Sequence, residues 1–380
     1  MDKFTTTLLV LCFATASSLQ GLSVEYAEGF SVEERSGYTL LHVHPPAGPD
    51  SNTLTYVLVP RESQKIPTTS ELKQSLRLDA HPQIVTTPIE NLIPLSTTFL
   101  PPLLWFDAKD SLKAIDKLEH IYNPELRGLV KRNNIPQVGN GPTLDLEMVV
   151  QFQPAPVMAN VTQGAWNVVP KLRQASVPVI LNADYLETTP LGRAEWIKFI
   201  GLLLGREDAA ERRFNAVEQR YKELVQMVAE YQSSEQERPQ VILNRPMNGR
   251  WVVPGGRGYM ARFITDAGGV YLWKDAEQSS SLVLDVEEAY VRALQADFWL
   301  HQYDRNSLQE IASADQRLSR IKAFRKGNVV NNDARVNAAG SNDFFESGPY
   351  QPHIILEDLI SLFYPPLLPK HNLYYYRYLE

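Results

Sequence analysis

Short apolar runs alternate with longer amphipathic stretches from about residue 85 to the end of the chain. Each run has the length of a buried strand, and the stretches between them repeat apolar residues at helical spacing. The runs that predict strands are Asn91–Ser96, Pro156–Asn160, Val177–Asn182, Gln240–Asn244, Asp297–Leu300 and Asn328–Asn331. Strands that alternate with helices are typical of βαβ units, so the pattern predicts an α/β fold with parallel sheets.

The segment before this alternation has a different character. Residues 24–80 are polar and rich in proline, and within them Thr39–Val43 and Thr53–Val59 read as a pair of strands. We therefore predict a lead segment that contains a β-hairpin and precedes the α/β part of the chain.

One stretch predicts an unusually long helix. Arg206–Tyr231 contains neither glycine nor proline, and the preceding helix is expected to begin at Pro190, with Thr189 as its cap, and to end at Gly205. The long helix measures ~39 Å at 1.5 Å per residue. A crossover helix within one sheet is usually shorter, so we interpret this one as a stiff connector between two α/β halves. Its apolar residues form one stripe: Ala210, Phe214, Val217, Tyr221, Leu224 and Val228.

A short repeat supports the division into two related halves. Leu144-Asp145-Leu146-Glu147 recurs as Leu284-Asp285-Val286-Glu287, and each copy precedes a helical pattern and then a short strand. Asp145 and Asp285 are expected to cap their helices, which places Glu147 and Glu287 in the first turns. Favourable charge at a helix start explains these glutamates without any function. Their matched positions on two lobes suggest instead that they dock onto arginines of a two-fold partner.

Composition and net charge indicate a globular protein and argue against a nucleic-acid-binding function. The chain has 380 residues, of which 44% are hydrophobic and 21% are charged, as in a globular protein of two domains. Its net charge of −7 argues against nucleic acid as a partner, because no basic field is present to replace counterions on a phosphate backbone.

The first residues predict export. Lys3 precedes the apolar run Leu8–Ala16, and Ala14-Thr15-Ala16 fits a cleavage site, so we predict a signal peptide over residues 1–16. A buried N-terminal strand or helix is the alternative. Cys12 is the only cysteine of the chain, so no disulfide is expected. A lipid anchor at Cys12 is disfavoured because Leu11 stands where such signals place a small residue.

No catalytic or metal-binding motif is present. The sequence contains no G-x-S-x-G elbow, no Walker A loop and no H-E-x-x-H helix. His42 and His44 share one face of a predicted strand, but no acidic third ligand lies nearby in sequence. We predict a protein without a catalytic residue, a resident metal or a cofactor.

The loop after the strand Gln240–Asn244 is the first candidate binding segment. Asn244–Tyr259 combines Arg245, Trp251 and Tyr259 with glycines and prolines. Ligands of parallel sheets bind beyond the carboxyl ends of the strands. Arginine offers a planar fork to carboxylate or catecholate oxygens, and aromatic rings offer faces to a flat ligand. A hairpin with a buried tryptophan is the alternative interpretation.

Two further segments follow predicted strands. Asn331–Arg335, with Gly340–Gly348 after it, supplies Arg335 together with amide, aromatic and acidic groups. A polar loop with capped turns explains this segment equally well. Asn182–Glu187 supplies Tyr185, which is expected either to point into a cleft or to pack under the long helix.

Taken together, these segments resemble the class of ABC-importer binding proteins that includes the vitamin B12-, haem- and ferric siderophore-binding proteins. The likeness extends from Tyr26 to the C-terminus, and its motifs are Leu181–Trp196, Asn244–Tyr259, Asp266–Gly269, Asn342–Gly348 and Asp358–Leu379. The resemblance implies two Rossmann-like lobes bridged by one long α-helix, little hinge motion and a cleft between the lobes for an iron–siderophore, haem or cobalamin.

The resemblance also implies residue roles and boundaries. Glu147 and Glu287 correspond to the carboxylates that dock on the permease dimer, and the cleft would be lined by Tyr185, Arg245, Trp251, Tyr259 and Arg335. The protein would be a periplasmic monomer. The expected parts are a signal peptide (1–16), a lead segment (17–80), an N-terminal lobe (81–205), the bridging helix (206–231) and a C-terminal lobe (232–380).

The sequence departs from the family in one motif. Gln153-Pro154-Ala155 stands where the family has Lys-Pro-Asp before a strand. Two other functions stay open on the sequence alone, a chelate-processing enzyme on the same fold and a binding module that signals or scaffolds without a transporter.

Overall fold

The computed structural model describes residues 22–45, 53–63, 72, 82–232 and 237–380. The predicted signal peptide and Cys12 lie outside these residues. In the described parts of the chain, no helix is both long and apolar enough to span a bilayer.

Within the described residues, the strands form four sheets. A lead sheet has the order β1-β2-β3-β4, a parallel sheet β5-β6-β7 follows, and the C-terminal half contains the sheets β11-β8-β13-β14-β15 and β12-β10-β9. The strands are β1 (Phe30–Arg35), β2 (Tyr38–Val43), β3 (Leu54–Pro60), β4 (Gln83–Thr87), β5 (Ile93–Pro94), β6 (Val157–Asn160), β7 (Val179–Asn182), β8 (Gln240–Leu243), β9 (Pro246–Met247), β10 (Arg250–Val253), β11 (Val270–Tyr271), β12 (Leu282–Asp285), β13 (Phe298–Leu300), β14 (Val329–Asn331) and β15 (Arg377–Tyr378).

Helices connect the parallel strands, as the alternating pattern predicts. They are α1 (Pro101–Trp105), α2 (Pro124–Arg132), α3 (Leu146–Val150), α4 (Val169–Gln174), α5 (Pro190–Leu203), α6 (Glu207–Gln232), α7 (Tyr259–Asp266), α8 (Val286–Ala293), α9 (Leu308–Ala314), α10 (Lys322–Arg325), α11 (Asp343–Glu346) and α12 (Pro352–Phe363). The predicted α/β class is confirmed, and each of the six strands predicted after residue 85 is present but shorter than its apolar run. The ends of those runs lie in the loops that build the site.

The long helix α6 bridges two hydrophobic cores. The first half of its predicted stripe, from Ala210 to Val217, is buried in the core of the N-terminal lobe. The second half, from Tyr221 to Val228, is buried in the core of the C-terminal lobe. Because one continuous helix contributes to both cores, the two lobes are fixed to the same stiff element.

The predicted hairpin strands are confirmed as β2 and β3, which pair antiparallel. The lead sheet also contains β1 and β4, and β4 begins at Gln83, beyond the boundary that we expected near residue 80. This sheet covers the open edge of β7. The Tyr56 hydroxyl accepts a hydrogen bond from the backbone N–H of Leu181 at 2.9 Å, and the Gln83 Oε1 accepts one from Val179 at 3.4 Å. An edge strand would otherwise leave these donors unpaired.

In each lobe, a buried carboxylate accepts hydrogen bonds from the backbone of a segment near one end of the described chain. Glu195 on α5 accepts hydrogen bonds from three successive backbone N–H groups, those of residues 25–27. Asp358 on α12 does the same for residues 374–376 near the C-terminus. A carboxylate has about four lone-pair positions, so one side chain can fix a whole turn of passing backbone.

Candidate functional site

The carboxyl ends of the two parallel sheets face each other. Helix α11, which lies in the loop after β14, contacts the 3₁₀ turn Thr97–Phe99 directly after β5. The same loop donates a hydrogen bond from the Asn337 amide to the backbone oxygen of Ile121 at 3.0 Å. Loops that follow strands in one lobe therefore meet loops that follow strands in the other, which is where ligands of parallel α/β sheets bind.

The edge of the N-terminal lobe is built from polar strand ends. Asn160 and Asn182 end β6 and β7 in register, and the Asn182 Oδ1 accepts a hydrogen bond from the Asp184 backbone at 2.8 Å. Asp184 is buried, and burial raises the pKa of its carboxyl group, while the Arg193 guanidinium at 3.4 Å opposes that rise. One oxygen of Asp184 and the Asn182 amide nitrogen have no partner among the described groups. Both atoms are buried, so the surface of this edge is formed by the half-exposed Tyr185 that follows them in sequence.

The edge of the C-terminal lobe has a strained backbone. Asn244, His301 and Tyr303 adopt positive φ angles of 63°, 62° and 55° directly after β8 and β13. Such conformations are costly for residues other than glycine and cluster at functional sites. The buried Asn331 at the end of β14 holds the loop, because its amide donates to the Tyr303 backbone oxygen at 2.9 Å and its Oδ1 accepts from the Gln302 backbone at 2.9 Å.

The prediction that Trp251 lines the cleft is wrong. Its side chain is 0% exposed, and its indole N–H donates to the backbone oxygens of Leu243 and Asn244 at 3.1 and 3.2 Å. Trp251 lies on β10, where alternate residues face the core, and Trp299 donates to the same Asn244 oxygen at 2.6 Å. The buried-tryptophan alternative holds, because a large apolar ring gains more from the core than from a wet loop.

The three other predicted residues of the C-terminal lobe lie at or near the junction, but each already has a protein partner. Arg245 pairs with Asp304 at 2.6 Å. Arg335 pairs with Asp343 at 2.7 Å. The half-buried ring of Tyr259 faces the Arg193 guanidinium of the other lobe at 5.2 Å, and burial raises the pKa of its phenol to about 12. The site therefore offers a ligand little uncompensated positive charge.

Several aromatic side chains near these strand ends are exposed to solvent. Among the described residues, the exposed large aromatic side chains are Trp166, Tyr185, Tyr303, Phe345 and Tyr378, each between 43% and 59% exposed. The first two follow β6 and β7, and the next two lie in the loops after β13 and β14. Single exposed apolar side chains are ordinary at a protein surface. It is the position of these rings after strands of both lobes that makes them candidates for contact with a flat or apolar ligand.

Sequence reasoning identified Tyr185 but did not single out Trp166 or Tyr303. Both follow short predicted strands, at the positions that the strand-end rule marks. Their exposure could not be read from the sequence, because aromatic residues in such loops are as often buried. Tyr185 itself is held in place by its hydroxyl, which donates to the backbone oxygen of Val161.

The paired acidic motifs fold as predicted. Asp145 caps α3 and Asp285 caps α8, each through its Oδ1 at 2.9 Å from a backbone N–H of the first turn. Glu147 and Glu287 are both exposed. They differ in one respect, since Glu287 forms an ion pair with Arg317 at 2.7 Å.

The histidine pair of the lead sheet binds protein hydroxyls. His42 contacts Thr55 at 3.0 Å and His44 contacts Ser31 at 2.9 Å. Within the described ranges, no group of three or more histidine, cysteine or acidic side chains is placed to hold a metal ion.

Comparison with known proteins gives a consistent picture of the family and the fold. The model of the periplasmic binding protein family matches residues 108–336. An uncharacterised lipoprotein from Methanocaldococcus jannaschii is 22% identical over 247 residues, which cover 64% of this chain and 56% of the relative. The chain thus spans little more than half the length of this curated relative.

Solved structures are similar over most of the chain. A periplasmic heme-binding protein from Pseudomonas aeruginosa aligns with a TM-score of 0.55 and 19% identity over 73% of this chain and 93% of that chain. A protein of an ABC-type Fe³⁺-hydroxamate transport system from Saccharomonospora viridis aligns with a TM-score of 0.54 and 17% identity over 73% of this chain and 94% of that chain. At these identities the similarity establishes the fold. The lead sheet precedes the part that the family model covers.

Proposed function

This chain belongs to the periplasmic binding protein family, and we propose that it captures an iron–siderophore, haem or a related chelate between its lobes and delivers it to an ABC importer. The observation that carries the proposal is the set of exposed aromatic rings at the facing strand ends of both lobes. The solved structures of similar fold that bind heme and that belong to an Fe³⁺-hydroxamate transport system support this choice of ligand class.

The proposed capture involves no chemical step. Aromatic faces stack on a planar or ring-bearing ligand. Arg245 and Arg335 are already paired, so a carboxylate or catecholate of the ligand would share them with Asp304 and Asp343. Affinity then depends on pre-organisation, because helix α6 fixes both lobes before the ligand arrives.

The ligand site is tested by removing rings. Tyr303→Ala and Phe345→Ala should each weaken binding of the true ligand about tenfold, the effect of one lost aromatic contact. Tyr378→Ala is the matched control, because Tyr378 is also exposed but lies on the antiparallel edge strand β15. Binding is measured by absorbance titration with haem, ferrichrome as a ferric hydroxamate, and cobalamin. Unchanged affinity in both ring variants, or turnover of a bound chelate, would contradict the proposal.

Delivery is proposed to use the exposed carboxylates of Glu147 and Glu287. Their placement in matched first turns, one on each lobe, suits a partner with two-fold symmetry such as a permease dimer. Charge reversal at both positions should abolish transport and leave ligand affinity unchanged. Glu288→Arg is the matched control, since Glu288 is exposed and follows directly in the same helix. Transport that survives the double reversal would refute the docking role.

Export is part of the same proposal. The predicted signal over residues 1–16 and the curated lipoprotein relative both suit a protein that works outside the cytoplasm. Protease accessibility of the protein in intact spheroplasts, with and without a substitution of the apolar run, measures this directly.

A further inference from the structure

One buried carboxylate crosses the junction between the lobes. Glu346 ends helix α11 of the C-terminal lobe and is 1% exposed. Its Oε2 accepts a hydrogen bond from the Tyr122 backbone N–H at 2.6 Å, and its Oε1 accepts one from Asn123 at 2.9 Å. Both donors belong to the N-terminal lobe, at the turn that leads into α2. Both oxygens of this carboxyl group therefore face backbone donors of the other lobe.

Neighbouring contacts connect the same two segments. The Ser341 hydroxyl donates to the Glu119 backbone oxygen, and the Asn337 amide donates to that of Ile121 at 3.0 Å. The Arg335 guanidinium lies 5.2 Å from the ring of Tyr122. We name residues 335–346 the latch and residues 119–123 its receiving segment. The latch is thus a second attachment between lobes that α6 already joins covalently.

We propose that Glu346 is a positioning residue, which holds the carboxyl edges of the two lobes at a fixed spacing before any ligand binds. The part of this inference that concerns ligand affinity rests on the proposed function. The part that concerns the closed junction does not, because the contact joins two segments of the protein itself.

The charges around Glu346 determine how the latch responds to pH. Asp343 on the same helix and Arg127 on α2 are the charged groups that act on it, and Arg127 also donates to the backbone of Leu118 and Ile121. Burial raises the pKa of Glu346 from its usual value of 4.5 to about 7, against the lowering effect of the two backbone donors. The closed junction therefore holds a proton more tightly than an open one, in which the carboxyl group meets water. Closure is favoured as pH falls from 7 towards 4.5, and opening is favoured as pH rises through 7.

Amide hydrogen exchange of the ligand-free full chain measures the latch directly. In Glu346→Gln one side-chain oxygen becomes an NH₂ donor, so one of the two backbone N–H groups loses its acceptor. At pH 6 the wild-type carboxyl group is largely protonated, but its hydroxyl oxygen can still accept a hydrogen bond, which an amide nitrogen cannot. We therefore expect Tyr122 and Asn123 to exchange about tenfold faster in the variant at pH 6, after correction for the intrinsic rate. Protection that is unchanged at these two amides would overturn the proposal.

Glu187→Gln is the matched control. Glu187 is also a buried carboxylate that accepts two backbone N–H groups, those of Glu28 and Gly29, but it does so within one lobe. It should accelerate exchange at residues 28 and 29 and leave residues 122 and 123 protected. Between pH 6 and 8, exchange at Tyr122 and Asn123, corrected for the intrinsic rate, should become faster in the wild type and stay constant in Glu346→Gln. Slower exchange in the wild type over this range would refute the titration of Glu346 as the cause.

Ligand affinity provides the second measurement. With haem as the probe, Glu346→Gln should bind about tenfold more weakly than both the wild type and Glu187→Gln. Equal affinities in all three proteins would show that the latch does not position the site. A wild type that binds neither haem, ferrichrome nor cobalamin would instead count against the proposed function, and the exchange measurement would still decide whether the latch exists.

Discussion

Asp358 offers the sharpest test of how buried carboxylates organise this protein. It is fully buried on α12, and its Oδ2 accepts hydrogen bonds from the backbones of Tyr375 at 2.7 Å and Tyr376 at 3.1 Å. Its Oδ1 accepts from the Tyr374 backbone at 2.9 Å and pairs with His371 at 2.6 Å. Asp358→Asn keeps the shape of the side chain and replaces one of these oxygens with a donor.

The magnitude follows from the groups left without a partner. If the amide nitrogen takes the Oδ2 position, it faces the three backbone N–H groups of residues 374–376. If it takes the Oδ1 position, it faces the Tyr374 N–H and the histidine. Hydrogen bonds to charged groups contribute about 1.5–3 kcal/mol each, and removing one partner of a buried pair costs about 3–5 kcal/mol. The contacts share one carboxylate and are not additive. We therefore expect Asp358→Asn to lower the free energy of unfolding by about 3–5 kcal/mol.

The assay is urea unfolding at pH 6, followed by tryptophan fluorescence. The control is His371→Gln, which removes the charged partner but leaves the three backbone donors paired, and it should cost about 1–2 kcal/mol. Tyr374 lies 4.1 Å from the Arg335 guanidinium and Tyr376 contacts His301, so the aspartate variant should also disturb the C-terminal edge of the site. A loss below about 1 kcal/mol in Asp358→Asn would refute the view that this carboxylate anchors the closing run.

Other features of the fold can be tested in the same way. Tyr56→Phe leaves the Leu181 N–H without an acceptor and should lower the unfolding free energy by about 1–3 kcal/mol in the same urea assay. The hydrogen bond to Asp358 raises the pKa of His371, so the protonated histidine should stabilise the fold fully below pH 6.5 and lose this effect as pH rises through the raised pKa. Urea midpoints measured between pH 6 and 9 should fall accordingly in the wild type and not in His371→Gln. Asp285→Ala removes a helix cap and should cost about 1 kcal/mol, measured by thermal unfolding, with no change in ligand affinity.

Several features of the fold could be read from local pattern. The apolar runs marked the strands, and the break-free stretch from residue 206 to residue 231 marked the bridging helix to within one residue at each end. Repeated Leu-Asp-x-Glu marked two capped helices, and both caps are present. These predictions succeeded because spacing and capping depend on neighbours within a few positions of the chain.

The candidate site was predicted less well. Trp251 was assigned to the cleft because it lies in a glycine- and proline-rich segment, yet β10 turns it into the core. Arg245 and Arg335 were expected to line the cleft and bind ligand oxygens, but acidic residues 59 and 8 positions away in sequence already pair with them. Trp166 and Tyr303 are exposed because, among the described residues, no segment distant in sequence fully covers their rings, and the sequence does not show this.

By itself, the sequence determined the α/β class, the strands, the long helix and the paired capping motifs. All of these follow from the periodicity and chemistry of contiguous residues. Only the tertiary structure decided which rings stay exposed, which arginines are already paired, and that Glu346 spans the lobes to reach Tyr122 and Asn123, 224 and 223 positions away. The physical reason is that burial and pairing depend on which distant residues folding brings into contact, and the local sequence does not specify those contacts.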